Sequence, residues 1–137
     1  MIATVILNFH TKKDEVRNIT GEVQDALQRT TLQSGLVTVF VPGATGAVTT
    51  IEFEPGLIED LKGALQRLAP DDIDYAHNLR WQDGNGHSHI RAALIGPSLG
   101  IPFSQGRLML GDWQQIVFLE LDARPRQRRL ILQIMGE

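Results

Sequence analysis

Apolar and β-branched residues dominate Met1 to Phe9 and predict an opening strand. After Asn18 the spacing changes. Glu22, Val23, Ala26 and Leu27 share one helical face and predict a helix to about Thr31, with Thr20 as its N-cap and Ser34-Gly35 as its stop. Leu36 to Pro42 and Val48 to Phe53 predict two more strands, closed by Pro42-Gly43 and Pro55-Gly56. Leu57, Ile58, Leu61, Ala64, Leu65 and Leu68 return at helical spacing, and Pro70 ends that helix. Asp71 to Gly86 shows little periodicity and is the longest irregular segment, with Tyr75 and Trp81 as aromatic anchors. From His87 onward the pattern reads as β. Ser88 to Ile95 is predicted as a strand, Pro97 to Pro102 as a connection and Arg107 to Leu110 as a short strand. Trp113 to Leu121 and Arg129 to Met135 are predicted as a hairpin turning at Ala123-Arg-Pro-Arg. Helices early and strands late predict an α+β fold with a mixed or mostly antiparallel sheet.

Length and composition sharpen this picture. A chain of 137 residues is one domain, 1–137, large enough for a core without staples. With no cysteine, disulfides, thiolate metal sites and cysteine nucleophiles are excluded. No apolar run reaches the roughly 18 residues of a membrane span, and the N-terminus lacks the marks of a signal peptide. The expected location is cytoplasmic, with no membrane partner. A net charge of −3 argues against a polyanion binder, so nucleic acid is not an expected partner. The run Arg124 to Arg129 is the local exception. It reads as a solvated turn, since no aromatic stacking platform interleaves with it, or as a grip on phosphate.

Candidate chemistry centres on histidine. His77, His87 and His89 lie within thirteen residues beside Asn85. If Ser88 to Ile95 is a strand, His87 and His89 point to one face, and His77 can fold back across Gly84-Asn85-Gly86 as a third ligand. Such a set suits zinc or another divalent metal with one position open; the plainer alternative is a solvated, hydrogen-bonded pair. Asn85, Ser88 and Arg91 add donors that suit an anion. Gly96-Pro-Ser98 reads as a tight turn or as backbone donors to phosphate. Trp113, with Gln114 and Gln115, reads as an aromatic core anchor or as part of a pocket. Glu52 and Glu54 alternate on a strand and share a face, as a solvent-facing pair or as a ligand or general base. Phosphate loops, dinucleotide fingerprints and nucleophile elbows are absent.

Taken together, His77-Asn78, Asn85-Gly-His-Ser-His89-Ile-Arg91-Ala, Gly96-Pro-Ser98, Leu110-Gly-Asp-Trp113-Gln114, Glu120 and Pro125-Arg-Gln-Arg-Arg resemble the YjbQ-like family, described as secondary thiamine-phosphate synthases. The resemblance runs from Thr20 to the C-terminus. It implies a bent mixed sheet with two helices, a homotrimer, and a polar cleft for a histidine-bound metal, zinc or magnesium, or an anion. It implies roles for Glu52, Asn85, Arg91 and Gln114 in catalysis and for Ser98 and Trp113 in cofactor binding, and a metal at His77, His87 and His89. The family's His-Thr-Thr-Ala is replaced here by Gly43-Ala-Thr-Gly46, and His87 is expected to restore the missing imidazole. The implied reaction joins a hydroxymethylpyrimidine diphosphate to a thiazole phosphate with release of pyrophosphate. The alternatives are a non-enzymatic trimeric binder of metal or small ligand, and a metal-dependent hydrolase. In each case the expected partner is a small phosphorylated molecule.

Overall fold

A computed structural model describes residues 1–81 and 84–137, with Trp81 described by its backbone alone. Among the described residues eight strands form two sheets. β1 (Ile2–His10), β8 (Gln127–Gly136), β3 (Gly35–Phe40), β5 (Ser98–Ser104) and β6 (Arg107–Leu108) make a five-stranded sheet in that order. β2 (Val16–Asn18), β7 (Gln115–Glu120) and β4 (Gly46–Ile51) make the three-stranded one. All pairings are antiparallel. With the helices α1 (Thr20–Thr30), α2 (Pro55–Leu68), α3 (Ala76–Trp81) and α4 (Gly86–Ile95), the fold is α+β as expected.

The five-stranded sheet has one buried face. Along β8, Leu130, Leu132 and Ile134 turn inward beside Val37 and Val39 of β3 and Ile101 and Phe103 of β5. β7 is buried on both sides, which is why its run Ile-Val-Phe-Leu does not alternate. Ile116 and Phe118 join the core against the five-stranded sheet, and the Phe118 ring meets Phe9 edge-on at 5.4 Å. Val117 and Leu119 face the other way, onto Leu65 of α2 and Ala92 of α4. The molecule is thus layered as sheet, sheet and helices. α1 plugs the first layer with Val23, Ala26 and Leu27, each side chain contributing about 1–3 kcal/mol by its burial.

Helix boundaries follow their caps. The N-cap of α1 is Ile19, not Thr20, and Asn18 just before it braces the first turn: its Oδ1 accepts from the Thr20 N–H at 3.0 Å and from the Thr20 hydroxyl at 2.8 Å. Thr20 is the first helical residue, and its Oγ1 accepts from the Ile116 N–H at 2.8 Å, tying the helix to β7. Glu54 caps α2 by accepting from the Gly56 and Leu57 N–H groups, with Pro55 in the first turn. Glu54 therefore does not share a strand face with Glu52, because β4 ends at Ile51.

Four expectations fail in the second half. Ser88 to Ile95 is helical, and the short helix α3 occupies part of the segment read as irregular; Gln82 and Asp83 of that segment lie outside the described residues. The connection expected at Pro97 to Pro102 is mostly β5. β7 and β8 do not form a hairpin, since each pairs with strands of a different sheet. The chain instead crosses between sheets at Leu121 to Arg126, and that crossing builds the site.

Candidate functional site

Where β7 ends and β8 begins, a charged network is sealed into the molecule. Glu120 is 1% exposed and Arg128 6%. The guanidinium engages the carboxylate as a fork: Nε donates to Oε1 at 2.8 Å and Nη2 donates to Oε2. Nη2 also reaches the Thr45 carbonyl at 3.1 Å and its hydroxyl at 3.0 Å. The Thr11 hydroxyl donates to Glu120 at 2.6 Å, and the Asp122 N–H donates to its other oxygen at 3.1 Å. Thr45 in turn donates to Asp122, which pairs with Arg126. Burial alone raises the Asp122 carboxyl, yet the Ala123 N–H, the Thr45 hydroxyl and Arg126 outweigh it and hold the group below its ordinary value. The network fixes the Pro42–Thr45 loop onto the start of β8. The expected solvated arginine turn is therefore corrected at Arg128, which a partner carboxylate holds inside.

Above this network lies an open cavity of about 370 Å³, walled by Gly43, Asn85, His89, Arg126, Arg128 and Arg129. A Cβ on Gly43 would sit 3.4 Å from Arg128 Nη1, which puts that nitrogen directly beneath the loop. Arg129 is exposed and has no carboxylate within ion-pair reach among the described residues. The acidic groups that balance Arg126 and Arg128 stand below the floor, so the wall itself presents guanidinium, imidazole and amide donors. Such a wall is suited to an anion with several oxygens.

The predicted site residues divide among different places. Asn85 at the N-cap of α4 and His89 in its first turn line the cavity, and the His77 ring lies 4.5 Å from that of His89. His87 turns away. On a helix, residues two apart point to nearly opposite sides, so the same-face argument for His87 and His89 fails with the strand it assumed. His87 is buried with its ring 6.4 Å from Tyr75, and its Nδ1 has no hydrogen-bond partner. Burial, then the charge of Arg91, lowers its pKa below the ordinary value. It does not stand in for the imidazole missing at Gly43. Among the described residues no group of three or more His, Asp or Glu side chains could hold a metal ion.

Arg91 is also elsewhere: its Nε donates to the Ala69 carbonyl at 2.9 Å and its Nη2 to Gln66 at 2.7 Å, fastening the end of α2 to α4. Gln114 bonds Thr50 and the Gly111 N–H and shares a separate groove with Ser98. Glu52 and Trp113 meet at the far end of the three-stranded sheet. Trp113 is 75% exposed and anchors no core.

A model of the UPF0047 protein YjbQ-like family matches residues 5–137. The chain belongs to this family. A UPF0047 protein of Archaeoglobus fulgidus is 37% identical over 124 residues, covering 90% of this chain and 94% of that one. One from Bacillus subtilis is 34% identical over 92% of this chain and 93% of its own. Among solved structures, a YbjQ-like protein of Sulfolobus solfataricus superposes over the full length of both chains with a TM-score of 0.90 at 27% identity. A yjbq/upf0047 protein of Clostridium acetobutylicum gives 0.84 at 32%, covering 94% of this chain and 99% of that one. The family resemblance in the sequence was therefore sound.

Within this YjbQ-like fold, the residues that build the cavity floor were the hardest to anticipate. Glu120 left one signal, a carboxylate closing the apolar run Ile116 to Leu119. A charge at the end of a doubly buried strand requires a buried partner. Nothing local identified that partner as Arg128, nor Thr45 as the hydroxyl joining Arg128 to Asp122.

Proposed function

We propose that the arginine-lined cavity binds the phosphate groups of a small molecule and that the chemistry carried there is of the thiamine-phosphate synthase type. One observation supports it above the others: Arg126, Arg128, Arg129, His89 and Asn85 converge on a space of about 370 Å³ with no carboxylate in its wall among the described residues. In that reaction the thiazole nitrogen attacks the methylene of a pyrimidine diphosphate. The carbon–oxygen bond breaks, and pyrophosphate leaves with its electron pair. The protein needs to supply no nucleophile, only stabilisation of the departing charge and alignment of the two partners. Arg128 Nη1 and Arg129 would take the terminal oxygens, with His89 and Asn85 completing the cradle. The described residues offer two imidazoles in contact, too few donors to enclose a divalent cation, so no step is routed through one.

A second reading, ligand binding without turnover, is favoured by the position of Glu52, Gln114 and Arg91 outside this cavity. Self-association belongs to either reading. The outward face of the five-stranded sheet carries Ile2, Ile6, Leu36, Phe40 and Met135 at 40–63% exposure, a patch suited to burial in a trimer. Light scattering of wild type and Phe40→Asp would show a trimer and its dissociation.

Titration with pyrophosphate, followed by incubation with both phosphorylated precursors, tests the proposal. Expected are saturable binding, weakened about tenfold in Arg129→Ala and His89→Ala, and formation of thiamine phosphate that falls in parallel. Binding without product favours the second reading. Absence of pyrophosphate binding refutes both.

A further inference from the structure

At the opposite end of the three-stranded sheet the lining changes sign. β4 runs from Gly46, opposite Glu120, to Ile51, opposite Gln115. The arginine cavity lies at the first end, and a separate cleft of about 440 Å³ lies at the second. At strand rise the two are roughly 17 Å apart. The pairing of β2, β7 and β4 brings three chain segments to this cleft: Asn18, Glu52 to Pro55, and Asp112, Trp113 and Gln115.

Two features define its chemistry. Phe53 and Trp113 are 46% and 75% exposed, so two aromatic surfaces stand in water with no core to cover them. Glu52, Glu54 and Asp112 stand beside them, and no lysine or arginine is in the lining among the described residues. Glu54 is held by two N–H groups of α2, whereas Glu52 and Asp112 have no ion-pair partner among the described residues. The floor amides are engaged with the protein: Asn18 Nδ2 donates to Gln115 Oε1 at 3.1 Å, and Asn18 Oδ1 accepts from Thr20. The carboxylates of Glu52, Glu54 and Asp112 disfavour an anion here. Aromatic faces attract cations through their quadrupole, and nearby carboxylates add to that field.

We infer that this cleft is a second binding site, for a small planar organic cation such as a quaternary nitrogen heterocycle, seated against Trp113 and Phe53 with Glu52 and Asp112 as counter-charges. Its size lies within the range of small-molecule pockets. The inference is independent of the reading of the arginine cavity, whose ligand has the opposite charge.

Calorimetric titration of the full chain with 1-methylpyridinium, and with toluene as its uncharged counterpart, provides the test. Expected is saturable binding of the cation and none of toluene, with affinity reduced about tenfold in Trp113→Ala and in Glu52→Gln/Asp112→Asn. All three residues are exposed, and unchanged melting temperatures would show that the variants fold. No cation binding at millimolar concentration overturns the site. Equal affinity in the carboxylate variant, or equal binding of toluene, overturns its cation character. If light scattering shows ligand-free self-association that Trp113→Ala abolishes, the cleft holds a second copy of the chain, and the small-molecule assignment is wrong.

Discussion

Replacing Glu120 by alanine would leave the Arg128 guanidinium inside the protein with no counter-charge. The pair is nearly sealed, with side-chain exposures of 6% and 0%. Removing the carboxylate deletes both arms of the fork, strips the Asp122 N–H of its acceptor and leaves the Thr11 hydroxyl with the Arg126 carbonyl alone. Breaking a buried ion pair from one side destabilises a fold by about 3–5 kcal/mol, because the remaining charge stays desolvated. For a chain of this size each kcal/mol moves Tm by about 3–4 °C, so Glu120→Ala should melt roughly 9–20 °C lower. Urea unfolding should show the same loss as a shifted midpoint with an unchanged slope. The double variant Glu120→Leu/Arg128→Met should recover most of that loss, since it removes the orphaned charge along with its partner. Loss below about 1 kcal/mol in the single variant would show that water reaches Arg128 and that the pair is not sealed. A double variant no more stable than the single would show that shape and the threonine hydroxyls, rather than charge, hold the junction.

Other consequences follow from the same geometry. His87 is held neutral by burial, while Arg91 and Lys13 oppose its protonation and Asp71 and Asp14 favour it, with a net lowered pKa. The unfolded chain binds a proton at 6.5 and the folded chain only below it, so stability should fall as pH drops through 6.5. Melting curves of His87→Leu should lack that decline; a parallel decline would place its source elsewhere. Asp122 has linkage of the same sign in a more acidic window: its contribution is present above 3.8 and lost as pH falls through its depressed folded value. The Tm difference between wild type and Asp122→Asn should therefore shrink below that pH, and a constant difference would refute the assignment. In Gly86→Ala the new Cβ would stand 2.6 Å from Tyr75 Cβ, forcing α3 and α4 apart. A loss of about 1–3 kcal/mol in urea unfolding is expected, and a neutral change would mean the α3–α4 contact is loose.

The helix α4 shows why periodicity misled at the site. Its buried positions are Gly86, His87, Ser88 and Ala92, while Ile90 and Leu94 are 46% and 60% exposed. Small residues face inward because β4 passes close beside them, at Ala47. An apolar pattern read as marking the buried side therefore pointed outward, and a helix was taken for a strand. With the wrong element came the wrong histidine pairing. The hairpin expected from Trp113 to Met135 failed for a related reason. Both strands were visible, but their partners lie far away in the chain: Val117 opposite Asn18 and Thr49, and Leu132 opposite Val5 and Val39.

Sequence alone was enough for most of the strands, for α1 and α2, for the α+β class and for the family, because those rest on local periodicity, stop signals and motif order. It also placed Asn85, His77 and His89 near one another, which the short path between them makes unavoidable. Tertiary structure alone decided that Arg128 is buried, that Thr45 and Glu120 hold it, and that the acidic aromatic cleft stands at the other end of the sheet from the arginine cavity. Those relations join residues as far apart as Thr11 and Glu120, and Asn18 and Trp113. They depend on which strands become neighbours, and strand pairing is settled by burial across the whole core rather than by any local stretch of chain.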